Sequence, residues 1–263
     1  MTLARLSRIP KRLLDDLKII WIAQNWREIL RAKINRKPLS LIRLRNGVVL
    51  RSPGQVSLDF LFHEIWIDEV YAPPGYEIKN GDTVVDIGAN IGVFATYAAT
   101  SASGVKVKSY EPFPKNAEYF RVNLDASKLE NVEFHQTAVA DSEGVRTLHL
   151  DDAWILHSLT EKGSSENGMD VDCTTLDKVF EDIDSCGLLK LDCEGSEYEV
   201  LYSASYSTVS KISRIVCEFN NVDDDRKNGA ALRDFLLTKG FEIDPSGPLD
   251  GESGFICARK NAI

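Results

Sequence analysis

A doubly wound α/β sheet, mostly parallel with an antiparallel strand at its carboxyl-terminal end, is the fold this sequence predicts, and three observations carry it. Short β-branched runs alternate with helix-patterned segments from residue 83 onward. The first run ends in the glycine loop of TVVDIGANIGVFATYAA, where a strand passes straight into a helix. The last two runs, FEIDPS and GFICARK, have no helix between them, so they must turn back on one another.

The 263 residues are 43% hydrophobic and 27% charged, enough for one large α/β domain with an appendage. The appendage is a basic helical arm and hairpin over residues 1–55; the α/β domain fills 56–263. Residues 1–51 hold 13 Lys and Arg against 3 Asp and Glu, a net +10, which leaves −19 on residues 52–263. An acidic body is a poor nucleic-acid binder, while a basic arm can meet an anionic surface.

Within the arm the longest apolar run, Ile19 to Ala23, falls far short of the roughly 20 residues a membrane-spanning helix needs. Leu13, Leu14, Leu17, Ile20 and Trp21 share one helical face, and Ile22, Trp26, Ile29 and Leu30 lie on nearly the opposite one. That change of side predicts two short packed helices, or one helix buried on both faces. The arm is expected to dock on the body or on a second subunit, with peripheral membrane contact as the alternative. No small-residue cleavage site follows the apolar run, which argues against a secretory signal.

After the arm, LIRLRNGVVLRS reads as a hairpin around Asn46-Gly47, a dipeptide suited to a type I′ turn. Residues 58–71 form an amphipathic helix that Pro73-Pro74-Gly75 stops. The main strands then run 83–89, 105–111, 132–140, 187–193 and 213–220, most followed by a helix. GVRTLHLDD adds a short excursion, HSLTEKGSSENGMD a loop over one face, and MDVDCTTLDKVFEDI a further strand and helix. Gly240 caps the last helix.

Cys173, Cys186, Cys193, Cys217 and Cys257 show no C-x-x-C spacing and sit mostly in strand-like runs, which suits buried thiols in a reducing cytoplasmic setting. His63-Glu64 begins like a zinc-protease motif, but Ile67 stands where the second histidine belongs.

Ligands of such sheets bind beyond the carboxyl ends of the strands, and acids occupy every exit: Asp86, Glu111, Asp141, Asp192 to Glu197, and Glu218. Gly88 and Gly92 let backbone approach a ligand, and Glu111 can accept hydrogen bonds from both hydroxyls of a ribose. That pair admits a dinucleotide or S-adenosyl-L-methionine. The third glycine of a dinucleotide fingerprint is missing, and a carboxylate beside the loop suits a cofactor that is cationic at sulfur and amine. S-adenosyl-L-methionine is therefore favoured.

DIGANIGVFATYAA, YEPFPKNAEYFRVNL, AVADSEG, TTLDKV and LLKLDCEGSEYEVL, in that order, resemble the motifs of the FkbM family of S-adenosylmethionine-dependent methyltransferases, over roughly residues 56–260. The resemblance implies a class I methyltransferase, Rossmann-like sheet with its last strand antiparallel. It implies that Asp86, Gly88, Asn90 and Gly92 bound the methionine end of the cofactor, Glu111 the ribose, and Asp141 with the backbone near Ala140 the adenine. It also implies a small-molecule or glycan acceptor, such as a sugar hydroxyl.

Methyl transfer to oxygen requires in-line approach and loss of the hydroxyl proton. Asp192 is the first candidate for base, and also borders the cofactor; Glu194 is second, and His157 a third, reaching down from a loop. Glu197 reads as a helix cap or a third acid of the site. Trp154 can stack on a sugar ring. No metal ligand is assigned, although clustered carboxylates can hold Mg²⁺. An NAD-type oxidoreductase and a non-catalytic cofactor-binding module are the competing readings.

Overall fold

The central strands are near-continuous buried runs, and this gives the sheet two buried faces. The structure, a computed structural model, describes residues 10–53, 58–150, 168–222, 224–244, 247–249 and 251–260.

Helices α1 (Lys11–Ile22) and α2 (Trp26–Asn35) make up the arm, and strands β1 (Leu41–Arg43) and β2 (Val49–Arg51) the hairpin. The arm is thus two short helices. At the break, Ala23 bridges to Leu44, and the amide of Gln24 donates to the Arg43 carbonyl at 2.7 Å. Ile19, Ala23 and Ile29 are buried in one cluster with Ile42, Leu50, Phe62 and Phe94, so the arm docks on the body. Lys11 pairs with Asp68 at 2.8 Å, and Lys18 donates to the Ile67 carbonyl at 2.8 Å. Among the described residues, no helix is long and apolar enough to cross a membrane.

The hairpin turn departs from the two-residue expectation. Leu44 N donates to Val48 O at 2.8 Å, which leaves three residues in the loop. Of these only Gly47 has a positive φ, 98°, while Asn46 uses its side-chain oxygen to accept from Val48 N at 3.2 Å. A three-residue loop with glycine in the left-handed position replaces the type I′ turn. On the body side, buried Asn123 bonds both the amide and the carbonyl of Arg51, at 2.7 and 3.1 Å.

Helix α3 (Leu58–Phe62) runs into one π-helical turn, His63–Ile67, and the helical path ends there rather than at Tyr71. Strand β3 (Thr83–Ile87), helix α4 (Val93–Ser101), strand β4 (Lys106–Tyr110) and helix α5 (Pro114–Ser127) follow as read. In α5 the buried positions Asn116, Ala117, Phe120 and Asn123 form one helical stripe.

The run 132–140 is two strands, which corrects the single strand expected there. Strand β5 (Val132–His135) edges the main sheet. Strand β6 (Ala138–Ala140) leaves it, pairing parallel with β8 (Gly168–Thr175), which also pairs antiparallel with β7 (Gly144–His149). The separation has a packing cause: all three residues of β6 are buried, Val139 toward the main core and the two alanines toward Leu148, Val171 and Cys173. The loop read at 157–170 lies largely outside the described residues.

Helix α6 (Leu176–Val179), strand β9 (Leu188–Leu191), helices α7 (Glu197–Ser203) and α8 (Tyr206–Ser210), strand β10 (Arg214–Asn220), helix α9 (Gly229–Thr238) and strands β11 (Glu242–Asp244) and β12 (Ser253–Arg259) complete the chain. Thr175, Ser205 and Asn228 each accept an amide hydrogen bond to open α6, α8 and α9. The main sheet has seven strands in the order β11-β12-β10-β9-β3-β4-β5, with β12 antiparallel to both neighbours and the inner pairs parallel. Val84, Leu188 and Val216 face the arm side, and Val85, Leu189, Ile215 and Cys217 the other. The five cysteines are free thiols.

Candidate active site

Strand register brings charges together on the arm-side face. Asp86 lies opposite Lys190 across β3 and β9, and Lys190 lies opposite Val216 of β10. Both charged residues are buried, with Lys190 Nζ 3.0 Å from Asp86 Oδ1. The same ammonium donates to the Gly88 carbonyl at 2.8 Å and lies 3.6 Å from Asp192 Oδ2. It sits 5.0 Å above the Tyr71 ring and 5.8 Å from Phe94. Burial alone would pull the lysine pKa down, but the Asp86 and Asp192 carboxylates outweigh it and hold the ammonium charged.

Around this cation the two acidic loops touch. Gly88 has φ 77°, and a Cβ there would overlap the Asp192 carbonyl, so glycine is required by the approach of the second loop. Its amide and that of Ala89 both donate to Tyr110 O at 3.0 Å. Asn90, at φ 51°, donates its amide to Glu111 Oε2 at 2.8 Å. Glu111 also accepts from Phe113 N at 3.0 Å and Asn116 Nδ2 at 3.3 Å. Burial raises its pKa to about 7 against the pull of those donors.

A cavity open at its mouth lies at this edge of the sheet, with Gly88, Asn90, Glu111, Val139, Asp192 and Glu194 in its wall. Gly88, Asn90, Glu111, Asp192 and Glu194 are thus brought together as the sequence suggests. Three other expected site residues stand apart. Asp86 is sealed beneath the loop by its ion pair with Lys190, because it is still inside the strand. Gly92 opens α4 at φ 82° with its missing side chain against Phe120, where a Cβ would come within 2.8 Å. Asp141 is exposed and ion-paired with Arg146, which also reaches Glu199 at 3.1 Å; the cavity is bordered instead by Ala138 and Val139 just before it. His157 and Trp154 lie outside the described residues.

Glu197 is fully buried and accepts from Cys193 N and Gly195 N at 3.0 Å, so it folds the second loop rather than facing a ligand. Glu194 takes φ 55° within that loop. Among the described residues no group of three or more His, Cys, Asp or Glu is arranged to hold a metal, and the Mg²⁺ reading finds no support. Lys190 supplies the positive charge between Asp86 and Asp192 instead.

Three participants, Tyr71, Glu64 and Lys190, escape the sequence reading of the site, and a fourth, Glu218, enters it without a role. Tyr71 donates its hydroxyl toward Asp192 Oδ2 at 2.8 Å and lies 3.0 Å from Glu218 Oε2. Glu64 faces the same acids, and burial followed by the Asp192 charge raises its pKa to about 7. Glu218 was noticed only as a strand-exit acid. Lys190 had a visible signal: a lysine inside the otherwise apolar strand LLKL must have a buried counter-ion. Tyr71 and Glu64 had none, because they approach from a segment distant in sequence.

The profile of the methyltransferase FkbM domain matches residues 86–243. The chain is 28% identical over 235 residues to the 31-O-demethyl-FK506 methyltransferase FkbM of Streptomyces tacrolimicus, covering 77% of this chain and 88% of that protein. It is 23% identical to Methyltransferase 1 of Beauveria bassiana, again over 77% of this chain and 88% of the relative. A crystal structure of magnesium protoporphyrin IX methyltransferase from Synechocystis PCC 6803 with bound SAM superposes with a TM-score of 0.46 at 13% identity, covering 78% of this chain and 82% of that one.

Proposed function

The chain belongs to the FkbM family of methyltransferases, and from that premise we propose that it moves the methyl group of S-adenosyl-L-methionine to a hydroxyl oxygen of a sugar or glycoconjugate. It is a methyltransferase with a class I, Rossmann-like sheet.

The observation that carries the cofactor reading is the cavity wall itself. Its groups fit the cofactor: a buried carboxyl in the wall, Glu111, can accept from ribose hydroxyls, and Asp192 and Glu194 offer negative charge to a sulfonium and an amine. When bound, S-adenosyl-L-methionine supplies an electrophilic methyl carbon attached to a good leaving sulfur. The chain's own part is to bind, orient and deprotonate. Gly88 and Asn90 give the wall its close backbone, Glu111 fixes the loop through Asn90, and Asp192 takes the acceptor hydroxyl proton.

Calorimetric titration tests the cofactor: S-adenosylhomocysteine should bind and NAD should not, and the reverse outcome would return the chain to the oxidoreductase reading. Mass spectrometry of a glycan panel after incubation with labelled cofactor tests the acceptor class. Asp192→Asn should reduce transfer by about 10²- to 10⁴-fold, well beyond its smaller loss of cofactor affinity. Unchanged transfer would remove Asp192 from the role of base.

The arm supports a second reading, contact with an anionic membrane surface. Leu13, Leu17 and Trp21 are 51%, 51% and 78% exposed on one face of α1, while Ile19 on the other face is buried. The acids of that helix, Asp15 and Asp16, are engaged by His63 and Lys33, and Arg45 donates to the carbonyls of Ile20 and Trp21 at its end. An apolar face flanked by cations suits such a surface. The full chain should float with phosphatidylglycerol vesicles and not with phosphatidylcholine vesicles, and Leu17→Glu with Trp21→Glu should abolish it. Concentration-dependent dimerisation lost in the same variant, without vesicle binding, would assign the face to a second copy.

A further inference from the structure

Beside the cavity, one phenol stands between two carboxyl groups. Tyr71 Oη is 2.8 Å from Asp192 Oδ2 and 3.0 Å from Glu218 Oε2. A phenol carries one hydrogen, so it can donate to only one of them. The second contact needs a hydrogen from the other side, or it places two lone-pair-bearing oxygens against each other in a buried site.

The surroundings decide which acid brings that hydrogen. Lys190 Nζ lies 3.6 Å from the same Asp192 oxygen that Tyr71 approaches, so negative charge is best placed on Asp192. Tyr71 cannot ionise: burial, then Asp192 and Glu218, drive its pKa well above the ordinary phenol value. Glu218 is pressed by acids from two elements, Asp192 and Glu194 on the loop after β9 and Glu64 on the π-helical turn. Across β12 its partner is Phe255, which brings no charge.

We propose that Glu218 holds a proton in the resting protein and donates it to Tyr71, whose own hydroxyl then donates to Asp192 and, with Lys190, fixes it as an ionised and oriented proton acceptor. Tyr71 and Glu218 are positioning residues in this arrangement. Tyr71 and Lys190 engage Oδ2, which leaves Oδ1 as the oxygen that takes a proton. The inference rests on the reading of Asp192 as base and adds to it how the base is kept charged among acids. Burial, followed by the Asp192 charge, raises the Glu218 pKa to about 8, consistent with that proton.

Carbon NMR of the full chain labelled at the glutamate carboxyl carbon, titrated from pH 5 to 10, tests this directly. One glutamate signal should titrate near 8 and be absent from Glu218→Gln. Asp192→Asn removes the charge that raises it, so the same midpoint should fall by about one unit, a tenfold change in proton affinity. Tyr71→Phe should also move that midpoint, and it identifies the signal if Glu218→Gln does not fold, because Asp192 also raises Glu64 and Glu197 whereas Tyr71 bonds Glu218. A Glu218 signal that titrates below about pH 5, where an ordinary glutamate does, overturns the inference. So does a midpoint indifferent to Asp192→Asn. Either result leaves Asp192 as base intact, whereas transfer surviving in Asp192→Asn would sink that role and the positioning with it.

Discussion

Where β3 gives way to α4 the chain reads Asp86-Ile-Gly88-Ala-Asn90-Ile-Gly92, and where β9 gives way to α7 it reads Asp192-Cys-Glu194-Gly-Ser-Glu197. Both loops bring acids and glycines to the same edge of the sheet, yet the acid that opens each has a different fate. Asp86 is the penultimate residue of its strand, so the sheet buries it and register hands it to Lys190. Asp192 follows the last residue of its strand and borders the cavity. Two positions of strand length separate an acid that holds the fold from an acid that borders the cavity. The first loop supplies shape and the second supplies charge, while Lys190 and Gly88 join them.

Breaking that joint should have the largest effect. Lys190→Met leaves Asp86 buried without its counter-ion and should cost about 3–5 kcal/mol, read by denaturant unfolding. Adding Asp86→Asn should recover a large part of the loss. If Lys190→Met alone unfolds like the wild type, the ion pair does not hold the loops together.

Gly88→Ala should follow, at about 3 kcal/mol, because a left-handed φ and a clash with the Asp192 carbonyl add. Gly47→Ala, also at positive φ but with open space around it, is the control and should lose about 1 kcal/mol. Equal losses would mean that the contact between the loops carries no cost.

Within the second loop, Glu197→Gln replaces an acceptor of two amides by a group that presents a donor to one of them. A loss of about 1–2 kcal/mol in stability is expected, with transfer reduced in step as Asp192 and Glu194 lose their support.

A last test is pH, which acts on four buried acids together. Burial raises Glu64, Glu111 and Glu197 from 4.5 to about 7 and Glu218 to about 8, so the native state binds more protons than the unfolded chain across that interval. Their contribution to stability is complete below about 4.5 and is lost as pH rises through 7 to 8. The melting temperature of the ligand-free protein should therefore fall markedly between pH 5 and 8 and then level off. A melting temperature that rises across this window would show that these acids are ionised in the fold.

Much of the site could be read in advance because it lies where the period of the chain changes. Gly88, Asn90, Glu111, Asp192 and Glu194 all stand where a strand pattern stops, and a parallel sheet gathers those stops along one edge. Asp86 and Gly92 belong to the same motif, but burial depth and the Phe120 ring set their roles, and neither is written in local sequence. The third strand was misread for a related reason. A run of nine strand-like residues does not show that the sheet edge is passed after His135 and that Ala138 to Ala140 find better burial beside β8.

By itself, the sequence determined the alternation of strands and helices, the antiparallel end of the sheet and the loops that border the cavity, because hydrophobic period and turn chemistry act over a few residues. Only the tertiary structure decided which acids are sealed and which are open, that Lys190 stands between Asp86 and Asp192, and that Tyr71 joins Asp192 to Glu218. Those outcomes depend on register between strands and on the turn after Ile67 packed across them. A hydrogen bond or ion pair of about 3 Å between residues more than a hundred positions apart exists only once the chain has closed.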